Sequence, residues 1–268
     1  MSESNDKPKG RTRILRHIVD ERQLHRKIPV LKRLVPSLHK RLERLVWPNG
    51  RTMRITPIRL IGLNAERIHI FGDSHSNVYS LAPEAVVHYL GAVTMHRVGR
   101  DGIQLFGLDD IDIKPGDALG FVFGEIDVRA HVGQQRDRYF RNPTEVLETL
   151  SKNYFSTLNK IKQLYPDLPI VVASLVPPTG HNYPNFARNT MLDYPTSPEP
   201  DRIAWTQQLN DMLRLAATHA GFGFLDQYTP FVNEKGLLDL NMTADGLHVA
   251  PNPPNADIQE LACIFETP

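Results

Sequence analysis

Three short stretches hold residue types that can do chemistry together. Gly72-Asp73-Ser74-His75-Ser76 places a serine directly after an apolar run, where the chain turns from a strand into a helix. A serine at such a corner is exposed, and helix N–H groups nearby can hold a developing negative charge. Gly72 permits the tight turn. A serine attacks a carbonyl only if a base takes its proton and a carboxylate orients that base. Asp245-Gly246-Leu247-His248 offers such a pair, with an Asp and a His three positions apart on a turn. The third stretch, Gly124-Glu125-Ile126-Asp127-Val128-Arg129-Ala130-His131, gathers two acids, an Arg and a His after another apolar run. Asp73, Glu125, Asp127, Arg129 and His131 could line a pocket and hold substrate charge. Each stretch also has an ordinary reading. Asp73 can cap a helix, Asp245 can do the same beside a solvated His248, and the acid–Arg–His group can be a salt-bridge network.

The elements that must position these residues follow from hydrophobic periodicity. Arg67–Phe71, Gly91–Val98, Asp117–Phe123, Pro169–Leu175 and Gly223–Asp226 read as strands, and 77–90, Pro143–Leu164, 200–220 and Asp257–Phe265 as helices. The run PIVVASL is continuously apolar, as in a strand covered on both faces. Strands that alternate with helices imply a parallel sheet with right-handed crossovers. In an open parallel sheet, ligands bind beyond the carboxyl ends of the strands, which is where all the reactive stretches fall. Pro177–Pro200 is too long for a simple connection and reads as a substrate wall that carries His181 and Asn182.

In this order, the motifs resemble those of the SGNH/GDSL hydrolases, over residues 67–265. The resemblance implies a three-layer α/β/α, flavodoxin-like sandwich with a five-stranded parallel sheet. It implies Ser74 as nucleophile in Gly72-Asp73-Ser74, and Asp245 and His248 as its partners. It implies oxyanion N–H groups from Ser74 and from a glycine after the second strand, for which Gly99 is the best match and Gly102 the fallback. Two departures stand out. Where the family has Gly-x-Asn-Asp, this chain has Gly124-Glu125-Ile126-Asp127, so Ile126 cannot donate to an oxyanion through its side chain. His75 replaces the leucine of the GDSL signature, which reads as a neutral exchange. The GDSH…GEID…DGLH pattern is similar to a divergent branch associated with the modification of bacterial polysaccharides.

Composition sets outer bounds. The chain has 268 residues, 41% of them hydrophobic and 23% charged, with a formal net charge of +1. That sum hides an asymmetry: residues 1–60 hold 16 Lys/Arg against 5 Asp/Glu, and the remainder 15 against 25. We therefore expect a basic N-terminal extension, partly disordered and partly helical, over 1–60, and the hydrolase-like domain over 61–268. Leu24, Ile28, Leu31, Val35, Leu38, Leu42 and Leu45 form a stripe at four-three spacing, interrupted by Pro29 and Pro36. A basic amphipathic segment of this kind packs on its own domain or touches an anionic membrane surface. It lacks the interleaved aromatics of single-strand nucleic-acid binding. The single cysteine, Cys263, excludes an internal disulfide and reads as a buried thiol on the last helix. No secretory leader or membrane-spanning run is visible, so we expect a cytoplasmic protein. No residue set has metal-ligand spacing and no phosphate loop occurs, so no cofactor is expected. The expected activity is an esterase or deacylase on a small-molecule or saccharide O-acyl ester. An O-acyltransferase using the same acyl-enzyme and a catalytically silent carbohydrate-binding module are the alternatives.

Overall fold

The computed structural model describes residues 65–82, 84–180, 197–243, 246–249 and 263–264. The chain divides into Met1–Met53 and Arg54–Pro268, and every described residue belongs to the second unit. The basic segment 1–60, His181, Asn182 and Asp245 lie outside the described residues.

Five strands run parallel: β1 (Arg67–Gly72), β2 (Ala85–Tyr89), β3 (Asp117–Val122), β4 (Ile170–Ala173) and β5 (Gly223–Leu225). Their order is β2-β1-β3-β4-β5, the flavodoxin-like arrangement. A two-residue strand, β6 (Cys263–Ile264), adds to β5 in the antiparallel sense, pairing Phe224 with Ile264. Every residue of β3 and β4 is buried, which explains their unbroken apolar runs.

Four α-helices are described: α1 (Met95–Asp101), α2 (Gly133–Tyr139), α3 (Pro143–Leu164) and α4 (Glu199–Ala220). The start of α3 is written in its sequence. The Asn142 side chain accepts from the Thr144 N–H, and Pro143 fills the first turn, where its missing N–H costs nothing. Gly221, at φ +68°, ends α4.

The strand residues divide their side chains between two cores. Phe71, Leu119, Phe121, Ile170, Val172 and Phe224 point to the face covered by α1, α3 and α4, where they meet Val98, Leu147, Leu158, Leu209 and Leu213. Ile68, Ile70, Ala118, Val122, Val171 and Leu225 point the other way, onto Val78, Tyr79, Phe231, Leu238 and Val249.

Three sequence expectations are corrected. Residues 77–90 are not one helix: Ser74–Leu81 is a 3-10 helix, and the chain then enters β2. This is the outer strand of the sheet, half-buried throughout, so it lacks the apolar run that marks an inner strand. Gly91–Val98 is not a strand. Thr94 caps a helix there, its hydroxyl accepting from the Arg97 N–H at 3.1 Å. Of the expected last helix, Asp257–Phe265, the described residues Cys263 and Ile264 are extended and paired with β5.

Candidate active site

The order β2-β1-β3 means that the chain leaves β1 toward one side of the sheet and reaches β3 on the other. The crevice at that reversal is the usual ligand position of such sheets. Gly72-Asp73-Ser74 leaves β1 there, and Gly124-Glu125 leaves β3 beside it. A Cβ on Gly72 would lie 2.6 Å from the Ser76 Cβ and 2.8 Å from the Val122 carbonyl, so only glycine fits the close crossing. Gly124 sits at φ +116°, and a Cβ there would meet Met95 at 2.8 Å.

The turn after Gly72 is tied by its own hydrogen bonds. The Asp73 side chain accepts from the His75 N–H at 2.9 Å, and the Asp73 carbonyl accepts from the Ser76 N–H at 3.1 Å and the Ser76 hydroxyl at 2.7 Å. Asp73, His75 and Ser76 are buried, and Ser74 alone of this group is partly exposed. Burial pushes the Asp73 carboxyl up to about 6, against the pull of His75. Its second oxygen is buried without a hydrogen-bond partner.

His248 arrives from a distant part of the chain. Thr243 and Val249 bridge in the antiparallel sense, Gly246 turns at φ +83°, and its N–H donates to the Thr243 hydroxyl at 2.8 Å. Leu247 and Val249 are buried and anchor this turn. His248 Nε2 then lies 2.8 Å from Ser74 Oγ, across 174 positions of sequence. This distance is within reach for transfer of the serine proton. Asp245, expected to orient the ring, lies outside the described residues.

The residues after β3 turn inward. Ile126 is apolar and buried. Asp127 is buried, and its carboxylate accepts from the Met95 N–H at 2.6 Å and the His96 N–H at 3.1 Å. It therefore closes the N-terminus of α1. Burial raises its carboxyl to about 7, opposed by those two N–H groups. The backbone from Asp127 to Val132 forms a π-helical stretch. It carries Arg129 back toward Glu125, and the Arg129 Nε donates to both Glu125 oxygens at 2.8 and 3.0 Å. The same Glu125 lies 3.1 Å from His75 Nε2. Burial alone would raise the Glu125 carboxyl, but Arg129 and His75 hold it well below the usual carboxylate range. Burial alone would likewise lower His75, but the bond and charge of Glu125, with Asp73, raise it above its ordinary value. His131, half-buried, is lowered by burial and by the charges of His96 and Arg129.

The structure thus brings together Ser74, His248, Asp73, His75, Glu125 and Arg129. Asp127 instead serves α1. Gly99 lies at the fifth position of α1, past the first turn whose N–H groups are unused by the helix. A Cβ on Gly99 would fall 2.7 Å from the Asn153 Cβ of α3, so this glycine serves helix packing. The expectation for Gly99 came from reading Gly91–Val98 as a strand. With β2 at Ala85–Tyr89, the glycine that follows the second strand is Gly91, at φ +83°. Gly102 is the C-cap of α1. Two contributors carried no clear sequence signal. His75 looked like a neutral exchange. Gln227, at 1% exposure, joins Asp73, His75 and Glu125 around a small recess, while bonding to Ser174 and Tyr79. Among the described residues, no three His, Cys, Asp or Glu side chains gather as a metal site, and no helix is long and apolar enough to cross a membrane.

Solved structures with the same architecture are 12–15% identical to this chain where compared. A protein from Streptococcus pneumonia assigned as a platelet activating factor matches with a TM-score of 0.50 and 13% identity, over 83% of this chain and 90% of its own. A GDSL-like lipase from Bacteroides thetaiotaomicron matches at 0.44 and 13%, over 78% and 88%. A variant of an acetyl-xylooligosaccharide esterase from Geobacillus Stearmophilus matches at 0.41 and 15%, over 70% and 89%. The chain has the SGNH/GDSL hydrolase fold. No protein-family model matches the sequence, and no curated protein matches it.

Proposed function

We propose that this SGNH-fold protein is a serine esterase or deacylase that cleaves an O-acyl ester. The observation that carries the reading is the 2.8 Å contact between Ser74 Oγ and His248 Nε2, made between two turns that meet only through the fold. In the reaction, Ser74 Oγ attacks the ester carbonyl and its proton passes to His248 Nε2. The tetrahedral adduct collapses to an acyl-serine, and His248 returns the proton to the leaving alcohol. Water then attacks the acyl-serine, with His248 again taking and returning a proton. Asp245 orients His248 in this scheme. The oxyanion is held by the Ser74 N–H and by the loop after β2, where Gly91 is the available glycine. Ile126 offers no side-chain donor, and a missing donor typically costs a hundredfold or more in rate. Slow turnover is expected. The substrate class we favour is an acetylated or otherwise acylated sugar, on the likeness of the GDSH…GEID…DGLH pattern to polysaccharide-modifying proteins.

A fluorophosphonate probe tests the nucleophile whatever the substrate. We expect one adduct per chain, mapping to Ser74 in the intact-mass and peptide spectra and absent from Ser74→Ala. His248→Asn should slow labelling about a thousandfold or more. A folded protein that takes up no probe refutes the hydrolase reading and leaves the silent binding module, with buried Ile126 as its cause. If Ser74 labels, acetylated sugars assayed with and without a sugar acceptor separate hydrolysis from acyl transfer.

A further inference from the structure

Four charged or ionisable groups lie buried behind Ser74, and the proposed chemistry uses none of them directly: Asp73, His75, Glu125 and Arg129. Their bonds run in one direction. Arg129 fixes both oxygens of Glu125, and Glu125 fixes His75 Nε2 at 3.1 Å. His75 Nδ1 is buried and has no hydrogen-bond partner, so Glu125 is the polar anchor of the ring. His75 follows Ser74 in sequence, and its ring centroid lies 5.0 Å from that of His248 at 42°. The residue next to Ser74 in the chain therefore also packs its ring beside His248. On its other flank the turn is already held by the Asp73 bonds to His75 and Ser76. The link from His75 to Glu125 ties the turn to the chain leaving β3. A leucine at position 75 would fill similar volume but could not make this link.

We propose that His75, anchored by the Glu125–Arg129 pair, is a positioning residue that holds Ser74 Oγ in line with His248 Nε2. The inference rests on the hydrolase reading. It gives Glu125 and Arg129 an internal role where the sequence suggested contact with substrate. The anchor is strongest while His75 is protonated and Glu125 ionised, because a charged pair bonds more strongly than a neutral one. Glu125, Arg129, Asp73 and His248 are the ionisable groups that face His75 among the described residues, from the segment after β3, the nucleophile turn and the 243–249 turn. Burial and Arg129 work against the proton on His75, and Glu125 with Asp73 outweigh them, so the balance is toward retention.

The test is the second-order rate of fluorophosphonate labelling at Ser74 from pH 5 to 10, with thermal unfolding run in parallel. His75→Leu should label at least tenfold more slowly than wild type while remaining folded at the assay temperature. His75→Gln can still donate to Glu125 and should recover much of that loss. Wild-type labelling should decline at alkaline pH as His75 loses its proton, and that decline should be missing in both variants. His75→Leu labelling within twofold of wild type, with the same pH profile, overturns the inference and leaves the hydrolase reading intact. A wild-type protein that does not label at all overturns both. A rate loss in His75→Leu that His75→Gln does not restore, with the alkaline decline unchanged, marks a packing role only and also overturns it.

Discussion

Gly99 packs α1 against α3, and a single added methyl group tests that role. In Gly99→Ala the new Cβ would lie 2.7 Å from the Asn153 Cβ, 3.2 Å from the Asn153 carbonyl carbon and 3.4 Å from its oxygen. Carbon atoms prefer about 3.5–4.0 Å, so α1 and α3 would have to part by up to about 1 Å. The obstacle is the root of a side chain fixed to its backbone, which a rotamer change cannot move. Overpacking of this kind costs about 1–3 kcal/mol. Alanine is the better helix former by about 1 kcal/mol, which offsets part of the loss. The net expectation is about 1 kcal/mol of destabilisation, or a Tm lower by about 2–4 °C for a domain of this size. Thermal unfolding followed by circular dichroism measures it. Asn153→Gly removes the opposing Cβ, so the double variant should recover part of the loss. Alanine keeps its N–H and the site is elsewhere, so Ser74 labelling at 25 °C should match wild type. A Tm equal to or above wild type would falsify the packing argument. A collapse of labelling with Tm unchanged would return Gly99 to the reaction.

Phe140 holds φ at +53° while its side chain is 92% exposed, so it bears left-handed strain with no packing in return. Phe140→Gly should stabilise the protein by about 0.5–1 kcal/mol, read as a higher Tm. Asn210 imitates a strand edge: its side-chain oxygen accepts from the Leu175 N–H at 2.7 Å, and its amide donates to the Leu175 carbonyl at 3.3 Å. Asn210→Ala should cost about 1–3 kcal/mol in urea unfolding, and an unchanged midpoint would remove this anchor from the account of how β4 ends. Asp117 is held at about 2: burial would raise it, but bonds from Arg67, the Lys114 N–H and His69 outweigh that. A depressed carboxylate stabilises the fold above its unfolded value near 4 and loses that contribution as pH falls toward about 2. Asp117→Asn should therefore lower stability by about 2 kcal/mol at pH 7 and flatten the acid limb between about pH 4 and 2. A variant whose acid limb matches wild type contradicts this.

The inner strands and long helices were legible because burial writes itself into composition. Pro143–Leu164 has the boundaries its Asn142 cap and apolar face suggest, and β3 and β4 are the unbroken apolar runs. The outer strand was not legible. Ala85–Tyr89 is half-buried, and its β-branched residues sit where the preceding polar turn looked like the start of a longer helix. That one misreading displaced the next element as well, and with it the glycine expected near Ser74. Local pattern carries only weak information where tertiary pairing decides the outcome.

At the site, the sequence named most of the residues but could not say which way each one points. Asp127 and Glu125 are two positions apart and chemically alike, yet Asp127 accepts from backbone N–H groups of α1 while Glu125 faces His75. The difference follows from the positive-φ turn at Gly124 and the π-helical stretch after it, which also brings Arg129 back onto Glu125. One departure from the GDSL pattern then gains a structural partner. The leucine position holds His75, and the buried acid it meets, Glu125, stands at the open position of Gly-x-Asn-Asp. These two are bonded to each other, so the exchange at position 75 is not neutral. A leucine at position 75 would leave Glu125 buried beside Arg129 with one bond fewer, and a neutral residue at 125 would remove the bond and charge that keep the proton on His75 against burial and Arg129. That bond is why we look for the function of His75 in its link to Glu125 rather than in contact with substrate.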